Sequence, residues 1–374
     1  MYLSEIELRN FRNYEDRQVE FSPGINVFIG ENAQGKTNLL EAIYVLAMTR
    51  SHRTANDREL INWQAKEAMV KGTVIKQTGR VPLEVLLGTR GKRVKVNHLF
   101  QSRLSTYIGN LNVVLFAPED LALVKGAPQE RRQFMDTEFS QMSSRYLYVI
   151  SQFRGLLKQR NEYLKQLKYG SQVDQVLLEV LSHQLAESGA AVMAMRFKLL
   201  KRLETWSAQL HEHISQQKEV LKLKYISQVM IDEKTAENEI AEQLQKLYHE
   251  HQSQEIKLGT TLYGPQRDDI RFLVNEQDVH RFGSQGQQRT TALAVKLAEI
   301  DLMNEQTGEY PLLLLDDVLS ELDNNRQTHL LTAIQDKVQT FLTTTSLSGV
   351  ARQLINRPTI FQIAHGTIDK EDKK

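Results

Sequence analysis

The sequence predicts an α/β fold: a mixed sheet with helices, divided into two sequence pieces by an inserted all-helical lobe. Three observations support this. Strand-like texture fills the first ~130 residues and returns after about residue 255. The stretch between, from about 143 to 250, holds no proline and little glycine and keeps helical spacing. A glycine-rich loop near the N-terminus stands between a short apolar run and an apolar helix pattern.

Taken in order, "YLSEIELRNF" and "RQVEF" alternate with period two, and "GINVFIG" is the mostly apolar run of a strand buried on both faces. "VIKQTGRVPLEVLLGTRGKRVKVNH" reads as hairpin strands around "TGR" and "TRGK". In the helical block, Ile150, Leu157 and Leu164 recur every seven residues. Leu181, Leu185, Val192, Leu199, Leu203, Trp206 and Leu210 keep one helical stripe. Core packing between helices explains these stripes more simply than a cofactor pocket, and the helices are too few for a long coiled-coil arm. "LYGPQRDDIRFLVN" is a turn followed by a strand. "RFGSQGQQRTTALAVKLAE" is a loop that becomes a helix from Thr290, with Leu293, Leu297 and Ile300 on one face. Residues 301–310 read as a polar connection, "PLLLLDDV" and "VQTFLTTT" as buried strands, and the closing "DKEDKK" as a frayed tail. The expected organisation is one domain in two pieces, 1–140 and 254–374, with the helical lobe at 141–253.

Composition is that of a globular protein, with 25% charged and 41% hydrophobic residues in 374. No apolar run reaches the roughly 18 residues of a membrane span. The first residues alternate like a strand and lack the apolar centre of a signal peptide. There is no cysteine, which excludes disulfides and zinc–thiolate sites and fits a cytoplasmic location. Net charge is only +1, so a nucleic-acid surface must be a local patch. Candidate patches are Arg9 and Arg12; Arg50, His52 and Arg53; Arg90, Lys92, Arg93 and Lys95; and Arg131 with Arg132. A solvated surface is the plainer reading of any one of them.

"GENAQGKT", residues 30 to 37, matches G-x-x-x-x-G-K-[ST], with a strand before it and a helix carrying Leu39, Leu40, Ile43 and Leu46 after it. Gly30 and Gly35 let the backbone N–H groups of Glu31, Asn32, Ala33 and Gln34 curl inward, and the helix N-terminus at Lys36 to Asn38 adds partial positive charge. Lys36 would reach the β- and γ-phosphates of a nucleotide, and Thr37 would offer its hydroxyl to Mg²⁺. A buried strand ending in two carboxylates follows far downstream in "LLLLDDVLSELD", residues 312 to 323. Asp316 would hold the Mg²⁺ shell and Asp317 would polarise the attacking water. The plainer alternative is a strand followed by a helix capped by Asp317 or Ser320.

A phosphate loop and an acidic strand make half of an ATP site. "GSQGQ", residues 283 to 287, resembles the signature loop of ABC-type ATPases. Its serine hydroxyl, glycine N–H groups and helix N-terminus together complement a γ-phosphate. Ser284 with Gln287 also spells an S-x-x-Q capping box, and the two roles are compatible. In ABC-type ATPases this loop reaches the ATP of a partner subunit, so two subunits close over two shared ATPs. "SELD", Ser320 to Asp323, resembles the short loop that crosses that interface.

With "LRNFRNY", "GENAQGKTNLLEAIY", "FAPEDL", "YGPQRDD", "GSQGQQRT" and "LLLLDDVLSELD", the sequence resembles the RecF family over essentially its whole length. These are bacterial recombination-mediator ATPases related to the SMC chromosome-organising ATPases. The resemblance implies an ABC-type P-loop ATPase head with an inserted helical lobe, using ATP and Mg²⁺ and forming an ATP-dependent homodimer. It implies binding to double-stranded DNA, particularly at gaps, with slow DNA-stimulated hydrolysis. It further implies cooperation with RecO and RecR to load RecA in DNA repair, replication restart and the SOS response. Carried over residue by residue, Gly30 to Asn38 hold ATP, with Lys36 and Asp317 catalytic and Thr37 and Asp316 on Mg²⁺. Ser284, Gly286 and Gln287 approach the second copy's ATP, and Ser284 and Asp323 lie at the dimer interface. Arg9, Arg12, Arg50, Arg53, Lys92 and Arg93 are the DNA candidates. Two departures stand out. Asp317 occupies a position where many ABC proteins carry glutamate, which predicts slow turnover. "LTTTS" replaces the usual histidine after the last core strand, leaving Thr345 or Ser346 to donate a hydrogen bond. The competing readings are an ABC transporter ATPase subunit and an ATP-gated nuclease. The long helical block argues against the first, and the short stretch after Asp323 leaves no room for the second.

Overall fold

The computed structural model of the chain describes residues 1–89, 91–170, 175–320, 322–335, 337–346, 354–355 and 357–371. Two compact units are present: Met1–Asp120 together with Ala292–Lys374, and Leu121–Thr291. Arg90, Glu321 and residues 372–374, all in motifs singled out above, lie outside the described residues.

The first unit contains two six-stranded sheets. One is antiparallel and is built from β1 (Tyr2–Phe11), β2 (Tyr14–Glu20), β4 (Glu67–Lys76), β5 (Gly79–Gly88), β6 (Gly91–Val96) and β7 (Leu99–Phe100), in the order β2-β1-β4-β5-β6-β7. The other is mixed. Its order is β15 (Thr367–Lys370), β14 (Thr359–Ala364), β3 (Ile25–Ile29), β13 (Thr340–Thr344), β12 (Leu312–Asp316) and β8 (Val113–Phe116). All neighbours in it are parallel except the β14–β15 hairpin. "INVFI" and "LLLLD" are continuous apolar runs because a strand inside such a sheet is covered on both faces.

Helix α1 (Lys36–Met48) follows β3, and 11 of its 13 residues are buried. It is therefore a core helix rather than a striped surface one. Its side chains join those of both sheets in one cluster that includes Leu8, Phe28, Leu46, Val85, Leu314 and Phe341. The exception to its apolar character is Glu41, fully buried, which needs a partner from elsewhere in the chain.

The second unit holds α2 (Ala122–Lys125), α3 (Pro128–Met142), α4 (Ser144–Lys168), α5 (Gln175–Ile214), α6 (Glu237–Glu250), α7 (Gln252–Leu258) and α8 (Val279–Phe282). It also has a small antiparallel sheet of β9 (Leu221–Ile226), β10 (Asp269–Val274) and β11 (Gln277–Asp278), with β10 in the middle. The seam of α4 runs Tyr146, Ile150, Phe153, Arg160, Leu164 and Leu167. Arg160 sits on it because Glu255 meets its guanidinium at 2.6 Å, Ser182 and Thr261 accept further hydrogen bonds, and the Tyr248 ring lies 4.5 Å away. A neighbouring buried network ties Arg196 to Asp136 at 2.7 Å and to the Pro265 carbonyl at 2.7 Å. The "YGPQRDD" turn is thus anchored from α5. Burial pushes the Asp268 carboxyl up to about 6, although Arg196 and the Tyr225 hydroxyl both favour its charged form.

Four expectations need correction. The helical stretch 143–250 is interrupted by β9, in which Leu221 and Leu223 are buried and Lys222 and Lys224 exposed, and which pairs with β10. The lobe expected at 141–253 lies inside the second unit, which also takes in 121–140 and 254–291, because β10 finds its partner there. Helix α9 (Gln285–Thr307) begins five residues before Thr290 and runs through most of the expected polar connection. It stops where Gly308 takes a left-handed φ of 75° and donates its N–H to the Asn304 carbonyl. Finally, Asp369 and Lys370 belong to β15, paired in register with Gln362 and Phe361 of β14, and are not a frayed tail.

Candidate functional site

The loop between β3 and α1 has two glycines that no other residue could replace. A Cβ on Gly30 would lie 2.2 Å from the Ile363 carbonyl oxygen. Gly35 has φ 120°, and a Cβ there would meet the Asn13 side chain at 2.8 Å and the Tyr14 hydroxyl at 2.9 Å. These contacts explain "LRNFRNY". Tyr14, fully buried, donates its hydroxyl to the Gly35 carbonyl at 3.0 Å, and Asn13 accepts from Asn38 Nδ2 at 2.8 Å. From the other side, His365 donates its N–H to Gln34 Oε1 at 2.7 Å, and Gly366 donates to the Gln34 carbonyl. Glu31, Asn32 and Ala33 remain exposed, with Ala33 at φ 64°. The loop is held from behind and open in front.

Lys36 folds along this loop and donates Nζ to the carbonyls of Gly30 at 2.6 Å and Glu31 at 2.8 Å. Burial lowers its pKa, opposed by the charges of Asp317 and Asp316. Sheet order does the rest. Strand β13 lies between β3 and β12, with Thr343 level with both Phe28 and Asp316. Thr37, the second residue of α1, donates its hydroxyl to Asp316 Oδ1 at 2.9 Å, and Thr343 donates to the same oxygen at 2.8 Å. Thr37 and Asp316 are 279 positions apart in sequence and share one hydrogen bond. Their hydroxyl and carboxylate oxygens are the hard donors Mg²⁺ prefers. Among the described residues no cluster of three or more His, Cys, Asp or Glu side chains forms a metal cage. An ion at Thr37 and Asp316 would complete its shell with phosphate and water oxygens, as Mg²⁺ commonly does.

Asp317 is exposed, with φ 53°. Its N–H donates to Thr343 Oγ1 at 2.9 Å and its carbonyl accepts from Ser320 Oγ at 2.6 Å, so an uncommon backbone state is pinned at both ends. The helix that follows, α10 (Asn324–Ile334), is capped by Asp323, which accepts from Arg326 N–H at 2.9 Å. Neither Asp317 nor Ser320 caps it. Of the "LTTTS" residues, Thr343 touches the acidic pair, while Ser346 supplies a carbonyl to Thr344 Oγ1. Thr345 and Ser346, the hydrogen-bond donors expected from the sequence, are exposed; the register of β13 against β12 instead sets Thr343 level with Asp316.

The signature-like residues stand in the second unit, at the start of α9. Ser284 is exposed. Its N–H donates to Gln287 Oε1 at 2.9 Å, and Gln287 N–H donates to Ser284 Oγ at 3.2 Å, a complete capping box. That cap uses a lone pair of the serine oxygen, so its proton stays available for an incoming anion. Gly286 lies within the first turn of α9.

Several basic candidates have internal partners. Arg12 grips Glu41 with Nε at 2.9 Å and Nη2 at 2.8 Å and donates Nη1 to the Glu59 carbonyl. Ser51 donates to the same carboxylate, and Arg53 lies 3.6 Å from it. Burial raises the Glu41 carboxyl, but these donors outweigh it and leave its pKa below the ordinary range. Lys92 donates to the Thr49 carbonyl at 2.7 Å and pairs with Asp57. Arg9 is more than half exposed beside Glu7, and Arg93 is exposed over the Phe100 ring. Arg50 is exposed. Burial lowers the pKa of His52, which packs edge-on against Tyr44, so it adds no charge to its cluster at neutral pH.

A family model described as an AAA ATPase domain matches residues 1–346. The DNA replication and repair protein RecF of Limosilactobacillus fermentum is 69% identical over 372 residues, covering 100% of both chains. The chain belongs to the RecF family. The RecF protein of Enterococcus faecalis is 53% identical, with 99% of each chain covered. A solved structure of the recombination mediator RecF with ATP, from the RecFOR pathway, superposes with a TM-score of 0.92 at 35% identity, covering 99% of this chain and 98% of that one. An Smc head domain from Pyrococcus furiosus gives a TM-score of 0.57 at 16% identity, covering 99% of this chain and 96% of that one, and speaks for the fold alone. The fold is that of an ABC-type P-loop ATPase head, and the chain is an ATPase. RecF membership favours a repair ATPase over the transporter-subunit and nuclease readings. No helix among the described residues is long and apolar enough to cross a membrane.

Proposed function

We propose that this chain is an ATP-gated DNA clamp of the RecF kind. Two copies close over two ATP molecules, grip duplex DNA near gaps, and release it after slow hydrolysis. The observation that carries the reading is the exposed Ser284, held in a capping box with its hydroxyl proton uncommitted, in a chain that separately assembles Lys36, Thr37 and Asp316. Gly30 to Asn38 would cradle the phosphates, with Lys36 turning from the loop carbonyls to the β- and γ-phosphates. Thr37 and Asp316 would hold Mg²⁺, which neutralises charge on the phosphates when bound. Asp317, pinned by Thr343 and Ser320, would orient the attacking water. Its arm is one methylene shorter than a glutamate's, which fits a slow step. Ser284, Gly286 and Gln287 of each copy would meet the γ-phosphate held by the other, with Asp323 at the same interface.

ATP drives closure only as far as it binds the closed dimer better than the open monomer. DNA would be held chiefly through phosphates, with Arg9, Arg50 and Arg93 reaching out and Arg12, Arg53 and Lys92 shaping the surface from within. Family membership further supports partnership with RecO and RecR in RecA loading, a cytoplasmic setting, and a place in the SOS response. The organisation proposed is an ATPase domain in two sequence pieces, with a largely helical insert between them that also carries the β9–β10–β11 sheet. Sedimentation with ATP and with ADP tests the clamp. Dimers should form with ATP and largely vanish with ADP, and equal dimerisation in both would overturn the proposal.

A further inference from the structure

Helix α5 ends at Ile214, and the chain turns back through Gln216 and Gln217, both left-handed with φ of 55° and 61°. It then reaches Glu219 at the foot of β9. Asn275 clamps the next residue from both sides. Val220 donates its N–H to Asn275 Oδ1 at 2.9 Å, and Asn275 donates its N–H to the Val220 carbonyl at 3.0 Å. The Glu219 backbone is therefore fixed. From there one carboxylate oxygen accepts from Gln287 Nε2 at 2.9 Å, while the other lies 3.8 Å from Nε2 of the fully buried His211.

Gln287 is thus held at both ends of its amide, by Glu219 at the nitrogen and by the Ser284 N–H at the oxygen. A carboxylate only accepts, so it dictates which way round the amide stands. With Oε1 forced toward Ser284, the reciprocal cap is set before any nucleotide arrives. A capping glutamine without that second anchor is free to swing away and to leave the serine N–H unpartnered. Hydrogen bonds to a charged acceptor are also the stronger kind, roughly twice a neutral one.

We infer that Glu219 is a positioning residue for the signature loop: it locks Gln287, and through Gln287 it presents Ser284 to the γ-phosphate bound by the second copy. The inference rests on the ATP-sandwich reading above. It extends that reading by assigning the loop's preorganisation to a residue outside the loop, in the short connection between the 40-residue helix α5 and β9.

The test compares Glu219→Ala, Glu219→Gln and Ser284→Arg by sedimentation with ATP and Mg²⁺, alongside nucleotide binding to the monomer. Glu219→Ala should weaken dimerisation about tenfold for each composite site, or about a hundredfold for a dimer with two. Monomer nucleotide affinity should stay within about twofold, because the phosphate loop is untouched. Glu219→Gln, which keeps an oxygen for Gln287 Nε2, should recover most of the loss. In a Gln287→Ala background, removing Glu219 should add nothing, since its effect runs through that amide. If Glu219→Ala dimerises like the parent while Ser284→Arg does not, the inference fails and the sandwich survives. Normal dimerisation of Ser284→Arg would sink both. Additive effects of Glu219→Ala and Gln287→Ala, or a drop in thermal stability that accounts for the lost dimer, would also overturn it.

Discussion

Replacing Thr343 by valine removes one hydroxyl with almost no change in shape, in a strand where a β-branched residue is at home. That hydroxyl does two things. It donates to Asp316 Oδ1 at 2.8 Å and accepts from the Asp317 N–H at 2.9 Å. A hydrogen bond to a carboxylate contributes about 1.5–3 kcal/mol, and an amide left without its partner costs about 1–3 kcal/mol. Water can reach the Asp317 side of this pair, which discounts the second figure and leaves a stability loss of about 2–4 kcal/mol. The functional effect should be seen most clearly in the metal. Residues that orient a ligand typically change metal affinity or activity by about 10–100-fold. The assay is ATP hydrolysis against free Mg²⁺ at saturating ATP, with urea unfolding in parallel. Thr343→Val should need at least about tenfold more Mg²⁺ for half-maximal rate, and Thr343→Ser should need little more than the parent. A Thr343→Val titration that overlays the parent's would show that Asp316 needs no support from β13, and the reasoning would be wrong.

Other outcomes follow from the same geometry. Gly35→Ala combines φ 120° with contacts under 3 Å and should abolish nucleotide binding, checked by fluorescent ATP titration. Arg12→Ala leaves a fully buried Glu41 with only Ser51 and Arg53, and should cost about 3 kcal/mol in urea unfolding. Adding Glu41→Gln should recover part of that loss. Because the Glu41 carboxyl lies below its ordinary pKa, its contribution is present above the unfolded value and should fade as pH falls through the folded one. Asp268 has the opposite sign. Its folded pKa, raised from 3.8 to about 6, makes the second unit lose about 3 kcal/mol as pH climbs through that window. Asp268→Asn should flatten that slope in unfolding measured from pH 4 to pH 7.

The phosphate loop was readable because its chemistry is contiguous: eight residues, a strand before and a helix after. The acidic strand was readable for the same reason. Thr37 and Asp316 were already paired as Mg²⁺ ligands; the part of Thr343 beside them was not legible, since it depends on β13 lying between β3 and β12. Arg12 read as a surface cation because sequence shows a charge and not its partner. The available signal was Glu41, a carboxylate inside the otherwise apolar "LLEAIYVLAM", which calls for a cation somewhere. β9 was missed although "LKLKYI" alternates with period two, because the helical stripes on either side dominated the reading. The α9 terminus was missed because the polar "NEQTGEY" masked Gly308 as a stop signal. Glu219 carried no local mark at all; its role depends on α5, Asn275 and the start of α9 arriving together.

The most direct test mixes two crippled variants. Lys36→Ala retains the signature loop but lacks the phosphate-loop lysine, and Ser284→Arg has the reverse defect. If each ATP is completed by the opposite copy, a mixed dimer holds one intact composite site, and hydrolysis should return to about a quarter of the parent's in an equal mixture. Should every mixing ratio stay as inactive as the separate variants, or should Ser284→Arg alone hydrolyse ATP normally, the two-copy site is contradicted.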